Sequence, residues 1–145
     1  MKEETMEHGE TLGVRGLKTY FFTKAGTIKA VDDVSFSLRP GEILGLVGES
    51  GSGKSVTGFS ILGLVDEPGK IVEGEILFRG EDLRSASEER RRSLRGSSIA
   101  AVFQDPLMTL NPVLKIETQM IEAVLAHSAI SRQEARRKAV AALTK

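Results

Sequence analysis

One glycine-rich stretch, residues 48 to 55, constrains the fold of this chain more than any other feature of the sequence. The stretch is Gly48, Glu49, Ser50, Gly51, Ser52, Gly53, Lys54 and Ser55, which satisfies the pattern G-x-x-x-x-G-K-[ST]. Glycines let backbone N–H groups converge on an anion without an obstructing Cβ, and a helix that begins there adds positive potential. The pattern therefore predicts a phosphate-binding loop between a strand and a helix.

The flanking sequence supplies the context that this loop needs. Residues 43 to 47 form a short apolar run, which predicts a strand buried on both faces. Residues 55 to 64 carry apolar side chains at helical spacing, interrupted by two glycines, and predict a helix. In this arrangement we expect Lys54 to contact the β- and γ-phosphates of a nucleotide and the Ser55 hydroxyl to ligate Mg²⁺.

Composition excludes several kinds of chemistry and leaves the loop as the main clue. The 145 residues contain 20 Lys and Arg against 20 Asp and Glu, and no Cys. Without Cys there is no disulfide, thiolate metal site or cysteine nucleophile. The balanced charge gives no field that would attract nucleic acid or anionic lipid. The polar N-terminus and the lack of any apolar run of about 18 residues predict a cytoplasmic chain.

The remaining elements follow from periodicity and capping signals. Alternating apolar positions between residues 28 and 38 predict strands, and residues 75 to 78 and 99 to 103 predict two more. Capping boxes at residues 85 to 88 and 131 to 134 predict helix starts, and the second helix still continues at Lys145, as if the chain were cut there. Arg90 to Arg92 are expected on a solvated helix face. A helix from Val113 is predicted from the apolar stripe Ile116, Met120, Ile121, Val124 and Leu125.

A phosphate-binding loop alone does not distinguish among NTPases, kinases and GTPases. The acidic pair Asp66-Glu67 lies at the end of the helix that follows the loop, too far from the loop to hold its metal. No N-K-x-D segment follows, which disfavours a GTPase.

A second segment of the sequence distinguishes among these three classes of protein. Residues 102 to 112, Val-Phe-Gln-Asp-Pro-Leu-Met-Thr-Leu-Asn-Pro, together with the loop, resemble the nucleotide-binding subunits of ABC transporters. The resemblance is strongest to importers of oligopeptides, dipeptides and nickel, with Thr109 where Ser is more usual. It extends from about residue 12 to the end of the chain.

The resemblance implies an α/β fold with a P-loop NTPase (RecA-like) core. It also implies an antiparallel N-terminal β subdomain and the start of an α-helical subdomain, in a truncated chain. We therefore expect a polar lead at residues 1 to 11, an incomplete nucleotide-binding core at 12 to 112, and the helical subdomain from 113 to 145.

The resemblance also implies roles for particular residues. Gln104 is expected to contact Mg²⁺ and the attacking water and, with Lys54, to serve catalysis, while Ser55 is the second metal ligand. Phe21, or next Tyr20, is expected to stack on adenine; alternatively, the aromatics at 20 to 22 alternate into the core of an edge strand. Nucleotide-binding residues are then Gly48, Glu49, Ser50, Gly51, Ser52, Gly53, Lys54, Ser55, Val56 and Phe21. Val56 departs from the family's more usual Thr and loses a hydroxyl contact.

The implied function is transport-coupled ATP hydrolysis with ATP and Mg²⁺ as cofactors. The implied partners are permease subunits, contacted through the helical region and through residues 102 to 112, which the family calls the Q-loop. A homologous or identical ATPase subunit in a head-to-tail dimer is also implied, and nucleic acid is not. The location would be peripheral, on the inner face of the cell membrane. Because the signature motif, the Walker B strand and the switch histidine are missing from these 145 residues, we expect little hydrolysis by them alone. Two alternatives stay open: a stand-alone regulatory nucleotide-binding module, and a small-molecule P-loop kinase with Arg90 to Arg92 as a lid.

Overall fold

The computed structural model describes residues 9 to 104 and 110 to 144 of the chain. The described residues form two compact units, one that ends at Arg91 and one that begins at Arg92. The first contains a four-stranded antiparallel sheet and the helix after the glycine-rich loop, and the second contains two longer helices. The predicted mixture of helices and an N-terminal antiparallel sheet is confirmed. The predicted boundary between residues 112 and 113 stays a prediction.

The sheet is built around its first strand. Strand β1 (Leu12–Thr23) pairs with β2 (Gly26–Leu38) on one side and with β3 (Gly69–Phe78) on the other, and the short β4 (Glu81–Asp82) extends the β3 edge. The order is β2-β1-β3-β4. The strands predicted between residues 28 and 38 and at 75 to 78 are parts of β2 and β3. The aromatic residues at 20 to 22 lie on an internal strand of this sheet, so the alternative that placed them on an edge strand was wrong.

One face of this sheet forms the core of the first unit. Leu17 and Ile76 are completely buried, and Val14 and Val31 nearly so. These side chains come from three neighbouring strands, as expected when one face of a sheet packs inward and the other faces solvent. The core therefore lies on the inner face of a hairpin and its antiparallel neighbour.

The predicted helix after the loop is confirmed as α1 (Lys54–Leu62). It ends at Gly63, which adopts a left-handed conformation with φ 64°. The Gly63 N–H donates to the Ser60 carbonyl at 3.1 Å, and the Leu64 N–H donates to the Phe59 carbonyl at 2.8 Å. Because glycine enters the left-handed region without a Cβ penalty, Gly63 ends the helix two residues before the predicted position.

Two segments predicted as strands are not strands. Residues 43 to 47 and 99 to 103 have no ladder among the described residues, apart from one isolated bridge between Arg95 and Ile99. The side chains of Ile43, Val47 and Val102 are 96%, 93% and 101% exposed. A strand buried on both faces needs hydrogen-bonded neighbours at both edges. Apolar content predicted burial but did not supply those neighbours, and so both predictions were wrong for the described chain.

Helix α2 (Glu88–Leu94) follows β4 and begins later than its predicted cap. The Ser87 hydroxyl accepts from the Arg90 N–H at 3.1 Å, whereas the Ser85 hydroxyl donates to the Asp82 carbonyl at 3.1 Å. Ser87, not Ser85, is therefore the cap. Arg90 is exposed and forms an ion pair with Glu81 at 2.7 Å, which agrees with a solvated helix face.

The second unit contains α3 (Ile116–Leu125) and α4 (Arg132–Leu143), which pack against each other through Ile121, Ala135 and Ala139. Helix α4 begins as predicted, with the Ser131 hydroxyl accepting from the Glu134 N–H at 3.2 Å. Helix α3 begins at Ile116 and not at Val113, whose N–H donates to the Asn111 side chain at 3.0 Å. That Asx turn competes with the helix, which explains the later start.

Candidate phosphate-binding loop

The glycine-rich loop leads directly into the N-terminus of α1. Gly51 and Gly53 have φ values of 80° and 89°, and α1 begins at Lys54. No side chain of the described residues caps this helix end. The first N–H groups of a helix have no partners within the helix, and the helix dipole makes their end positive. The end of α1 next to the loop is therefore available to an anion.

Gly53 seats the loop on the sheet. A Cβ added to Gly53 would lie 2.1 Å from the Ala30 carbonyl oxygen of β2, and the φ of 89° is itself unfavourable for other residues. Because the obstructing atom is backbone, a side chain at this position cannot be accommodated by a rotamer change. The last glycine of the motif is thus required for the contact between loop and sheet as well as for the loop conformation.

The Lys54 side chain folds back over the loop. Its Nζ donates to the carbonyl oxygens of Gly48 and Glu49 at 2.7 and 2.6 Å, and to the Ser52 Oγ at 3.3 Å. These bonds hold the ammonium at the loop, and no carboxylate of the described residues forms an ion pair with it. The structure thus places a full positive charge beside the helix N-terminus, which is the arrangement predicted for binding phosphates.

The first glycine of the motif shows that the loop is tightly wound. A Cβ at Gly48 would lie 2.5 Å from Ser52 Oγ and 4.0 Å from Lys54 Nζ. A side chain at position 48 would therefore displace the Ser52 hydroxyl from its place beside Lys54. The cradle fits an anionic oxygen cluster, so the residues present are compatible with a nucleotide phosphate.

Ser55 and Val56 occupy the first turn of α1. Ser55 is exposed, as a hydroxyl that ligates a metal must be, and Val56 is half-buried. Among the described residues, no group of three or more His, Asp or Glu side chains is arranged to hold a metal ion. Mg²⁺ characteristically takes one or two protein ligands together with phosphate oxygens. The donor set at Ser55 therefore fits a metal that arrives with a nucleotide.

The aromatic residues of β1 lie on two opposite faces of the sheet. Phe21 is half-buried, and its ring covers Gly69, where an added Cβ would lie 2.6 Å from Phe21 Cε1. The neighbouring Tyr20 points to the other face, because successive side chains of a strand alternate. There its hydroxyl donates to Asp32 at 2.6 Å, and Lys29 lies 5.3 Å from its ring centroid. Adenine stacking by Phe21 stays a prediction.

The Tyr20 cluster perturbs three pKa values. The hydrogen bond from the Tyr20 hydroxyl lowers the pKa of Asp32, because it stabilises the ionised carboxylate. The same bond raises the pKa of Tyr20, and the hydrogen bond to Asp32 raises the pKa of Lys29. All three groups are on the solvent side of the sheet. They form a surface cluster apart from the loop.

Gln104 belongs to the second unit, whereas the loop belongs to the first. Gln104 is exposed and follows the segment that forms no ladder. The next five residues of its string, 105 to 109, lie outside the described residues. Its predicted contact with Mg²⁺ and water stays a prediction.

The sequence did not single out Gln119, which holds the C-terminal end of this segment in place. The Gln119 side chain accepts from the Asn111 N–H at 2.9 Å and donates to the carbonyls of Asn111 and Leu114 at 3.0 and 3.1 Å. Gln119 thereby ties the turn at residues 111 to 114 to α3. No periodicity signal marks Gln119, because its partners are backbone groups eight and five residues away.

The loop and its position beside the antiparallel sheet define a P-loop protein, and comparison with known proteins identifies the family. The family model described as "ABC transporter" matches residues 31 to 145. This chain belongs to the ABC transporter family. The family expected from the motifs is confirmed by that match.

Individual relatives of this chain have more specific names than the family model has. A Brucella abortus protein, provisionally named a peptide import ATP-binding protein, is 50% identical over 129 residues, which are 89% of this chain and 39% of that protein. The oligopeptide transport ATP-binding protein AppD of Bacillus subtilis is 47% identical over 130 residues, which are 89% of this chain and 40% of AppD. The dipeptide transport ATP-binding protein DppD of Escherichia coli is 40% identical, over 89% of this chain and 39% of DppD. The chain spans about two fifths of the length of these relatives.

Solved structures agree on the fold. The dimeric structure of MJ0796, a bacterial ABC transporter cassette, superposes with a TM-score of 0.77 at 24% identity, covering 92% of this chain and 56% of that one. A second structure of the same cassette, in a post-hydrolysis state bound to ADP and Pi, gives a TM-score of 0.73. In the part of the chain that the structure describes, no helix is long and apolar enough to span a membrane.

Proposed function

We propose that this chain is the ATP-binding part of an ABC-type ATPase that energises import of peptides or a related small solute. The observation that carries the proposal is the Lys54 ammonium, held by three loop oxygens beside the N-terminus of α1. A preformed positive site of this kind recognises phosphates without a large rearrangement. The names of the 40 to 50% identical relatives support the peptide class.

The residues of the loop divide the work of binding. The N–H groups from Gly51 to Ser55 would donate to phosphate oxygens, and Lys54 would exchange its loop carbonyls for the β- and γ-phosphates. The exposed Ser55 hydroxyl would complete the coordination of Mg²⁺. Bound Mg²⁺·ATP supplies the phosphoryl group whose transfer to water releases the energy for transport. Val56 contributes only its backbone N–H here.

Two further residues complete the proposed site. Phe21 would stack on the adenine, since part of its ring is exposed on a strand of the same unit as the loop. Gln104 would orient the attacking water and share the metal, because its amide oxygen is an acceptor that suits both tasks. Both assignments rest on the position of these residues within the family's motifs.

The proposed assembly follows from the family. Permease subunits would contact the region around Gln104 and the helical pair, and a second ATPase subunit would face the loop in a head-to-tail dimer. In this arrangement the protein would lie at the cytoplasmic face of the membrane. We expect the 145 residues alone to bind Mg²⁺·ATP weakly and to hydrolyse little of it, because the resemblance assigns part of each site to the opposing subunit.

No specific observation favours a stand-alone regulatory module or a small-molecule kinase. A kinase lid formed by Arg90 to Arg92 is not favoured, because Arg90 is bound to Glu81 at 2.7 Å on its own unit. The ATPase proposal therefore stands as the better account of the loop.

The proposal is tested by calorimetric titration of the chain with ATP and Mg²⁺, with phosphate release followed on the same samples. Lys54→Ala should abolish measurable binding, because the charge of Lys54 is lost from the phosphate site. Lys24→Ala removes an equal charge from the exposed β1–β2 turn and should bind as the unmodified chain does. Equal binding by Lys54→Ala, or its loss in Lys24→Ala alone, would contradict the proposal.

A further inference from the structure

Helix α1 is attached to the sheet at two points. At its N-terminus Gly53 sits against the Ala30 carbonyl of β2, as described above. Two turns later the Ser60 Oγ lies 2.8 Å from the Thr19 Oγ1 of β1, and both residues are buried, with exposures of 2% and 0%. At 1.5 Å per residue these two points are about 10 Å apart along the helix.

The second point is a directional chain of hydroxyl groups. The Ser60 hydroxyl donates its proton to the Val56 carbonyl at 2.7 Å, in the first turn of α1. Because a hydroxyl has only one proton, Thr19 must then be the donor to Ser60. The chain therefore runs from Thr19 through Ser60 to the backbone of Val56, next to Ser55. The hydroxyl groups of Thr19 and Ser60 are both buried and are therefore shielded from water.

We propose that Thr19 and Ser60 are positioning residues that set the rotation of α1 and so aim Lys54 and Ser55 at the nucleotide. The proposal rests on the proposed function of the loop. Apolar packing alone would hold the helix on the sheet but would leave its rotation loosely defined, whereas a hydrogen bond specifies direction. A rotation of about 10° moves an atom about 6 Å from the helix axis by about 1 Å. Errors of that size matter where charges must meet phosphate oxygens.

The test compares substitutions that separate the hydroxyl from the volume of Thr19. Thr19→Val keeps the shape and removes the hydroxyl, whereas Thr19→Ser keeps the hydroxyl and removes a methyl group. In calorimetric titrations with ATP and Mg²⁺, Thr19→Val and Ser60→Ala should bind about threefold to tenfold more weakly, the range expected for one lost hydrogen bond. Thr19→Ser should bind within about twofold of the unmodified chain.

A control distinguishes positioning from general loss of stability. Val14→Ala removes a buried side chain from the same strand that takes no part in the Thr19–Ser60 hydrogen bond, and it should lower the urea midpoint while leaving the affinity unchanged. The proposal is overturned if Thr19→Val lowers the urea midpoint but keeps the full affinity. It is also overturned if Thr19→Ser weakens binding as much as Thr19→Val does.

A second measurement does not depend on nucleotide. The Thr57 N–H, which donates to the Gly53 carbonyl at 2.8 Å, reports the first turn of α1 by hydrogen exchange. Its exchange should be about threefold to tenfold faster in Thr19→Val and unchanged in Thr19→Ser, while the amide of Leu17 in β1 is unaffected. If the unmodified chain binds no ATP, the proposed function fails, and the exchange result alone decides this inference. Equal Thr57 exchange in Thr19→Val and the unmodified chain would refute it.

Discussion

The sheet of the first unit and the segment that precedes the glycine-rich loop both carry apolar side chains, but they differ in how far those side chains are buried. Both are rich in β-branched and aliphatic residues, yet Leu17 of β1 is completely buried and Ile43 is 96% exposed. Strand β1 finds β2 after a two-residue turn and β3 on its other side. Residues 43 to 47 have no such neighbour among the described residues. The difference shows that a strand is defined by its partners as much as by its own composition.

Truncation of Leu17 and of Ile43 to alanine should differ most in its effect on stability. Leu17→Ala should lower the free energy of unfolding by about 2 to 5 kcal/mol, because it leaves a cavity in the core. Ile43→Ala should change it by less than about 0.5 kcal/mol, because the side chain is already exposed. Urea denaturation of both variants measures the two values. A similar loss in Ile43→Ala would mean that residues 43 to 47 are packed in solution.

Two glycines, one in the segment at residues 43 to 47 and one in the loop, differ in how closely other atoms approach them. Gly53→Ala should destabilise the first unit by about 1 to 3 kcal/mol and abolish ATP binding, because its backbone is left-handed and its Cβ would collide with the Ala30 carbonyl. Gly45→Ala lies in the unpaired segment with nothing within 4 Å of an added Cβ. It should alter neither property. Thermal unfolding and calorimetric titration check both variants. If Gly53→Ala kept the stability and the ATP affinity of the unmodified chain, the close contact between Gly53 and the Ala30 carbonyl would be refuted.

The helical unit extends the comparison to an element whose partners are local. Ser131→Ala removes the hydroxyl that accepts from the Glu134 N–H and should destabilise α4 by about 1 kcal/mol. Ser85→Ala, at the position where a cap was predicted but not found, should have a smaller effect on α2 than Ser87→Ala has. Helical circular dichroism during urea denaturation measures these losses. Equal effects of Ser85→Ala and Ser87→Ala would contradict the assigned cap.

The smallest expected effect concerns the solvent face of the sheet. Tyr20→Phe removes the hydrogen bond that is the main cause of the lowered pKa of Asp32. The pKa of Asp32 should therefore rise towards its ordinary value, and Asp32 should become protonated at a higher pH than before. Carboxyl NMR shifts of Asp32 during an acid titration measure this change. An unchanged pKa would show that Lys29 alone holds the carboxylate ionised.

Sequence analysis succeeded where the partners of a residue are close in the chain. The hydrogen bonds of Lys54 within the glycine-rich loop, the start of α1 and the cap at Ser131 each involve groups that are close in the sequence, at most six residues apart. The antiparallel strands were also found, because their alternation reflects one buried face. These features share a short sequence separation or a simple period.

The predictions that were wrong or missing concern residues whose partners are distant in the sequence. The strands predicted at 43 to 47 and 99 to 103 required neighbours that an apolar pattern cannot specify. The central position of β1 depends on β3, which begins more than 40 residues after β1 ends. The bond between Thr19 and Ser60 spans 41 residues and carries no motif. Such pairings become visible only once the sheet places distant residues side by side.

If the loop from Gly48 to Ser55 is a preformed phosphate site, backbone NMR of the chain titrated with ATP and Mg²⁺ will show binding at the loop amides. The account predicts that amide shifts change first and most at Gly51, Gly53, Lys54 and Ser55. The chain offers an internal alternative, a cavity of about 440 Å³ lined in part by the basic side chains of Lys70, Arg84 and Arg91. Shift changes centred on that cavity, with the loop amides unmoved, would contradict the claim.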